Sequence, residues 1–228
     1  YQNLLAKANG TITNEYTRTR VTDLILNYSR ELGRHSVDAT LVSTRDHSTY
    51  DKEVFKGNDF TANGNTSLGI SGLHKASNYQ MSLDGSKTTN IGYLARVMYS
   101  YDDRYSFTAS YRRDGSSVFG AANKWGNFYS VGGAWIPTSE AFFKNWNQSA
   151  LDRLKIKASW GVNGNQAIAA FGTLSPVTNG ASGGIRYEFN GSDILYGLAV
   201  SSIGNPELGW ESTSSFNTGI MAPRPHRP

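Results

Sequence analysis

The chain has no cysteine. That excludes a disulfide scaffold and any zinc site built on thiolates. Only 18% of its 228 residues are charged and only 38% are hydrophobic. No apolar run approaches the ~18 residues that a spanning helix needs, so crossing a membrane by helices is excluded. Prolines are few, six in all, and three of them (Pro223, Pro225 and Pro228) lie in the last eight residues. Common catalytic signatures are missing too. There is no phosphate-binding G-x-x-x-x-G-K-[ST], no dinucleotide glycine fingerprint and no nucleophile elbow. His35, His47, His74 and His226 show no metal-ligand spacing. Asp102 and Asp103 lie in a turn signal, where Asp supports the local backbone rather than paired acid–base chemistry. No catalytic, cofactor or metal site is expected, and the chain reads as a non-enzyme.

The net charge of +4 carries little information about partners. Arg224 and Arg227 supply two of those charges, and without them the balance is +2, so no nucleic-acid partner is expected. Aromatics, by contrast, reach 12%, too many for a disordered chain, and 24 glycines and 13 tyrosines favour strands and turns. Alternation with period two is the clearest signal. Tyr93, Ala95, Val97, Tyr99 and Tyr101 form one face, with Leu94, Arg96, Met98 and Ser100 between them. After Asp102-Asp103-Arg104, Tyr105, Phe107, Ala109 and Tyr111 alternate with Ser106, Thr108, Ser110 and Arg112. This predicts a hairpin with one aromatic and one polar face.

The same pattern recurs at Leu24–Tyr28, Val37–Leu41, Tyr129–Trp135 and Leu154–Val162, and a last strand is expected from Glu211 through Phe216 towards Ile220. The connections alternate in length. Leu32–His35 and Asp102–Arg104 are tight turns, and a brief helix capped by Ser139 is expected over Glu140–Lys144, with Phe142, Phe143 and Trp146 as anchors. Long loops are expected near 50–89, 114–125 and 163–210. In an antiparallel sheet the short connections share one end and the long ones the other. That asymmetry fits an outer-membrane barrel better than a compact soluble domain. Tyr99, Tyr101, Tyr105 and Trp135 then read as an interfacial girdle.

Three segments carry a family resemblance. Arg112-Arg113-Asp114-Gly115-Ser116-Ser117-Val118-Phe119-Gly120 resembles the "RRDGSS-x-FG" stretch of the SusC/RagA family of TonB-linked outer-membrane proteins. Trp160–Gln166, ending in Gly164-Asn165-Gln166, is similar to that family's "G-x-x-GNQ" strand end. Gly204-Asn205-Pro206-Glu207-Leu208-Gly209-Trp210-Glu211 is similar to its "GNP-[DE]-L-x-WE" segment. The three occur in the family's order. The pair of strands around Tyr101–Tyr105 also looks like the family's "Y-x-D-x-RY" hairpin.

The resemblance implies an all-β fold, an antiparallel transmembrane β-barrel wall belonging to a 22-stranded TonB-dependent transporter barrel. It implies an outer-membrane importer of oligosaccharides or peptides in a Gram-negative cell of the Bacteroidetes type, working with a SusD-type surface lipoprotein. TonB would act through a plug region that these residues do not contain. About seven strands are expected over 1–220, and Met221–Pro228 reads as a Pro-rich tail foreign to the fold, from truncation, frameshift or an expression scar. The motif residues read as structural loop anchors, with Trp210 at the outer membrane interface. Within 163–210, Tyr187, Phe189 and Tyr196 are the candidate substrate contacts, since aromatic rings stack on sugars. Two alternatives remain at this point: a small passive porin-like or adhesin-like barrel, and a secreted soluble β-sandwich that binds glycans.

Overall fold

The computed structural model describes residues 9–60, 66–144, 153–166, 168–179, 186–189 and 193–222. In chain order the elements are β1 (Asn9–Leu32), β2 (His35–Phe60), a 3-10 helix (Thr66–Lys75), β3 (Ala76–Tyr101), β4 (Tyr105–Ser116) and β5 (Trp125–Trp135). A 3-10 turn (Pro137–Ser139) and α1 (Ala141–Lys144) follow. Then come β6 (Lys155–Asn165), β7 (Val177–Asn179), β8 (Arg186–Phe189), β9 (Asp193–Tyr196), β10 (Leu198–Val200) and β11 (Glu211–Met221). Seven strands form one sheet in the order β1-β2-β3-β4-β5-β6-β11. No helix among the described residues is long and apolar enough to cross a membrane.

Four expectations need correction. The 50–89 region is largely strand: β2 runs on to Phe60 and β3 begins at Ala76. Its β2 part, Tyr50–Phe60, carries charged and polar residues on both faces, and only the short run Tyr79, Met81 and Leu83 on β3 alternates, so the period-two signal is weak and backbone pairing holds the region. The 163–210 connection is not structureless, because β10 pairs with β7 and β8 with β9 in two small sheets. The short helix starts at Ala141 rather than Glu140, and Trp146 lies outside the described residues. At the other end, β11 includes Met221, the residue expected to open the tail, while Pro223–Pro228 lie outside the described residues.

The chain divides into two units. The first comprises Tyr1–Arg20 and Asp46–Thr88. In it, Lys52 Nζ meets Glu15 Oε1 at 2.6 Å and Thr19 pairs with Ser48 at 3.2 Å. Tyr79 O–H donates to the His74 carbonyl at 2.8 Å and secures the 3-10 helix to β3. Ala76 is buried there, and Ile12, Phe55, Leu73, Tyr79 and Met81 line an apolar hollow.

The second unit comprises Val21–Arg45 and Thr89–Pro228. Its register places Tyr93, Ala95, Val97, Tyr99 and Tyr101 opposite Arg113, Tyr111, Ala109, Phe107 and Tyr105. The same rows continue through Tyr129, Val131 and Trp135 on β5, Trp160 and Ile156 on β6, and Phe216 and Ile220 on β11. These side chains make one continuous aromatic and aliphatic face, and most of them are exposed. The opposite face carries Ser106, Thr108, Ser130, Lys157, Ser159 and Asn217, which line a shallow polar groove. One face therefore suits hydrocarbon and the other water. The buried core is small: Val118, Phe119, Phe128 and Ile136.

Two tight turns close the hairpins of this unit. Gly33 has φ 62° in the β1–β2 turn, a left-handed value that glycine takes without strain. Asp102 and Asp103 have φ 52° and 54°, and the Arg104 N–H donates to the Tyr101 carbonyl at 3.0 Å. Positive φ at both central residues gives the turn the twist that suits a hairpin, and Asp tolerates it better than most residues.

Candidate functional site

The three motif segments meet at the loop end of the second unit. Arg112 Nε donates to Asp114 Oδ2 at 2.6 Å. Gly92 lies beside this pair, and a Cβ there would fall 2.6 Å from Asp114 Oδ1. Gly115 serves the other face, where the Trp125 ring lies across it; a Cβ at Gly115 would sit 2.8 Å from that ring. Tyr93 stacks with Trp125 at 6.3 Å between centroids, and the Arg113 guanidinium lies 5.1 Å over the same indole.

Beyond Gly115 the chain turns inward. Ser116, 2% exposed, donates from Oγ to Asn90 Oδ1 at 2.7 Å, and its N–H reaches the Lys124 carbonyl at 3.0 Å. Ser117 exchanges two bonds of 2.9 Å with Thr89. Phe119, also 2% exposed, packs against Trp210 at 5.1 Å, and Phe128 meets the other side of Trp210 edge-on at 5.5 Å. Pairing between β5 and β6 extends to Ser130–Gly161. Past it the Phe128 ring fills the space beside Gly126 and Gly164, where side chains would collide with it.

The returning loop is fixed at several points. Gly120 abuts the Pro206 carbonyl. Asn123 Nδ2 donates to the Glu207 carbonyl at 2.8 Å, and Trp210 Nε1 donates to the Lys124 carbonyl at 3.0 Å. Asn205 closes its own turn, accepting from the Glu207 N–H at 3.0 Å. Gly204 N–H donates to Ser175 Oγ at 3.0 Å, and Asn165 Nδ2 reaches Glu211 Oε2 at 3.3 Å across the first pair of β6 and β11. Gln166 directly follows β6. Trp210 is thus half-buried against two phenylalanines, one of them Phe128 on the polar parity of β5, and not on the aromatic face that carries Trp125.

The candidate substrate aromatics are placed apart from this cluster in the chain pairing. Tyr187 and Phe189 belong to β8 and Tyr196 to β9, with Tyr187 opposite Leu195 and Arg186 opposite Tyr196. Sequence reasoning missed Asn123, Phe128 and Trp125. For Phe128 a signal existed, because it is the one aromatic among Ser130, Gly132 and Ala134 on the polar parity of β5.

At the turn end, Glu140 gathers three donors. Tyr105 O–H donates to it at 2.6 Å, Arg104 Nη1 at 3.2 Å and Trp135 Nε1 at 3.4 Å. Arg104 also pairs with Asp102 at 2.7 Å. The Tyr105 hydroxyl does most to hold the Glu140 carboxyl below its ordinary value; partial desolvation opposes it, and Trp135 and Arg104 add to the lowering. Among the described residues no group of three or more metal-ligating side chains comes together.

No family model matches the chain. It is 32% identical over 154 residues to TonB-dependent receptor P39 of Formosa agariphila, covering 66% of this chain and 14% of that relative. It is 29% identical over 215 residues to TonB-dependent receptor SusC of Bacteroides thetaiotaomicron, covering 93% of this chain and 20% of the relative. The chain therefore spans about a seventh to a fifth of these curated relatives. Its backbone matches the structure of the RagAB peptide transporter with a TM-score of 0.75 at 22% identity, over 96% of this chain and 23% of that one. A second match is the RagAB peptide importer in its closed-closed state, with a TM-score of 0.71 at 23% identity. These relatives are named as receptors and transporters. In sequence and in backbone, the chain is similar over most of its length to a section of the barrel of SusC-type TonB-dependent receptors, the family that its motifs resemble.

Proposed function

We propose that this segment forms part of the wall of a TonB-dependent outer-membrane importer for oligosaccharides or peptides. A SusD-type surface lipoprotein is its partner, and a plug elsewhere in the protein is its link to TonB. The continuous exposed apolar face, backed by a polar one, carries this reading. Its dimensions support it. Trp125 and Trp135 stand on one face of β5, ten residues apart. That is ~33 Å along the strand and ~25 Å in height at a tilt of ~40°, the height of a barrel's apolar band. A soluble sandwich would cover such a face with a second sheet.

The wall proposed here comprises β1–β6 and β11, as far as Met221, with its longer connections on the outer side. The β8–β9 pair, bearing Tyr187, Phe189 and Tyr196, belongs to the substrate-facing loops on this reading. Motif residues act as anchors that hold those loops. Nitroxide labels in the intact protein test the wall: a label at Val131 is expected to be relaxed by lipid-dissolved oxygen, and one at Ser130 by a water-soluble nickel chelate. Recovery of the native protein in the soluble fraction sinks the membrane reading. Uptake assays on oligosaccharides and on peptides, with and without the gene, decide the substrate class.

A further inference from the structure

The aromatic face of the second unit ends in two different ways. At the turn end the polar tips of its rings bond to the protein itself: Tyr105 and Trp135 reach Glu140, and His35 Nδ1 meets Tyr99 O–H at 2.7 Å. At the loop end a cation caps the rings. Arg113 is exposed over Trp125, and among the described residues no carboxylate pairs with it, since Asp114 is bound to Arg112. Arg45 is exposed as well. It follows Thr44, whose hydroxyl donates to Asp23 and whose methyl lies near Gly92 on the polar side, so Arg45 falls on the aromatic side. Asn127, directly opposite Arg113, accepts at Oδ1 from Tyr111 O–H at 2.7 Å, which leaves its amide N–H groups to donate.

Directly below this rim lies an apolar hollow lined by Leu24, Leu26, Leu41, Tyr93, Ala95 and Tyr111. Rim and hollow share Tyr93. The geometry points to a binding site for one phosphorylated lipid of the outer leaflet. Arg113, Arg45 and Asn127 hold its headgroup phosphate, Trp125 and Tyr93 form the floor, and an acyl chain lies in the hollow. Each part has a physical reason. A guanidinium presents a planar fork that matches phosphate oxygens, and stacking on indole holds it in place before the lipid arrives. Indole and phenol rings favour the headgroup level of a membrane. A free phosphate would gain nothing from the hollow, which is what selects a lipid. The site rests on the membrane-wall reading, and no acid on this rim competes for the two arginines among the described residues.

Native mass spectrometry of the intact protein in detergent, titrated with bisphosphorylated lipid A, tests the site. Wild type is expected to bind it. Arg113→Ala weakens binding about fivefold and the double variant with Arg45→Ala roughly thirtyfold, as expected for two membrane-proximal arginines. Lipid A stripped of phosphate binds wild type only at the level of the double variant, and inorganic phosphate does not displace the lipid. Arg96→Ala, on the polar face, leaves binding unchanged. Retained heat-modifiable migration shows that the variants fold. Equal binding by wild type and double variant, or displacement by inorganic phosphate, overturns the proposal. The Val131 nitroxide separates the two failures. If oxygen in lipid reaches it and lipid A ignores the arginines, only the headgroup site is wrong; if oxygen does not reach it, the wall reading falls.

Discussion

Single residues decide two junctions of this fold. Trp210 bridges Phe119 and Phe128 and bonds to the Lys124 carbonyl. Trp210→Ala is expected to cost roughly 2–4 kcal/mol, the range for truncating a large packed side chain that is partly exposed. Denaturant unfolding of the intact protein in lipid measures it, and Trp210→Phe should recover part of the loss. Glu140 governs the turn end. Its folded carboxyl lies below the ordinary value of 4.5 because the Tyr105 hydroxyl, first among its donors, favours the charged form. A lowered folded value means that the stabilisation is complete above about pH 4.5 and is lost as pH falls through the folded value. Melting temperature followed from pH 7 to 3 should fall further in wild type than in Glu140→Gln, whose amide does not titrate.

Among the elements, strands with one apolar face were legible and strands without one were not. Tyr93–Tyr111 declares its hairpin because one apolar face puts a hydrophobic residue at every second position. Asn9–Asp23 and Tyr50–Phe60 carry Thr, Asn, Asp and Lys on both faces, so nothing periodic survives in the sequence although the backbone is paired throughout. The motif segments were readable as anchors, yet their partners were not. Asn123 and Lys124 meet residues more than eighty positions away, a separation that leaves no local trace. The turn at Asp102-Asp103 was legible from composition, and its positive φ values make a prediction. Asp103→Val places a β-branched side chain in a left-handed conformation and should cost about 1–2 kcal/mol, seen as slower recovery of the folded band after dilution from denaturant.

On the scale of the whole molecule, the two faces of the sheet assign opposite outcomes to similar substitutions. In the proposed wall, Val131→Arg turns a charge toward hydrocarbon and is expected to cost roughly 2–4 kcal/mol near the middle of the bilayer, while Ser130→Arg, one residue away, should cost little. Assembly yields in outer-membrane vesicles compare the pair directly. The sheet has β1 and β11 at its margins, each with one side of its backbone unpaired within the sheet. Expressed without further strands, the 228 residues should aggregate, which light scattering would register on removal of denaturant.

The seam formed by Phe119, Trp210 and Phe128 has a consequence for how such a protein changes over generations. It fastens the last residues of the long 166–210 connection to the short loop after β4, while Asn165 and Glu211 tie its two roots together. Changes among residues 176–203, between those fastenings, are expected to leave the pairing of β6 with β11 intact. The seam acts as a graft union, letting new recognition sequences be tried on an unaltered wall.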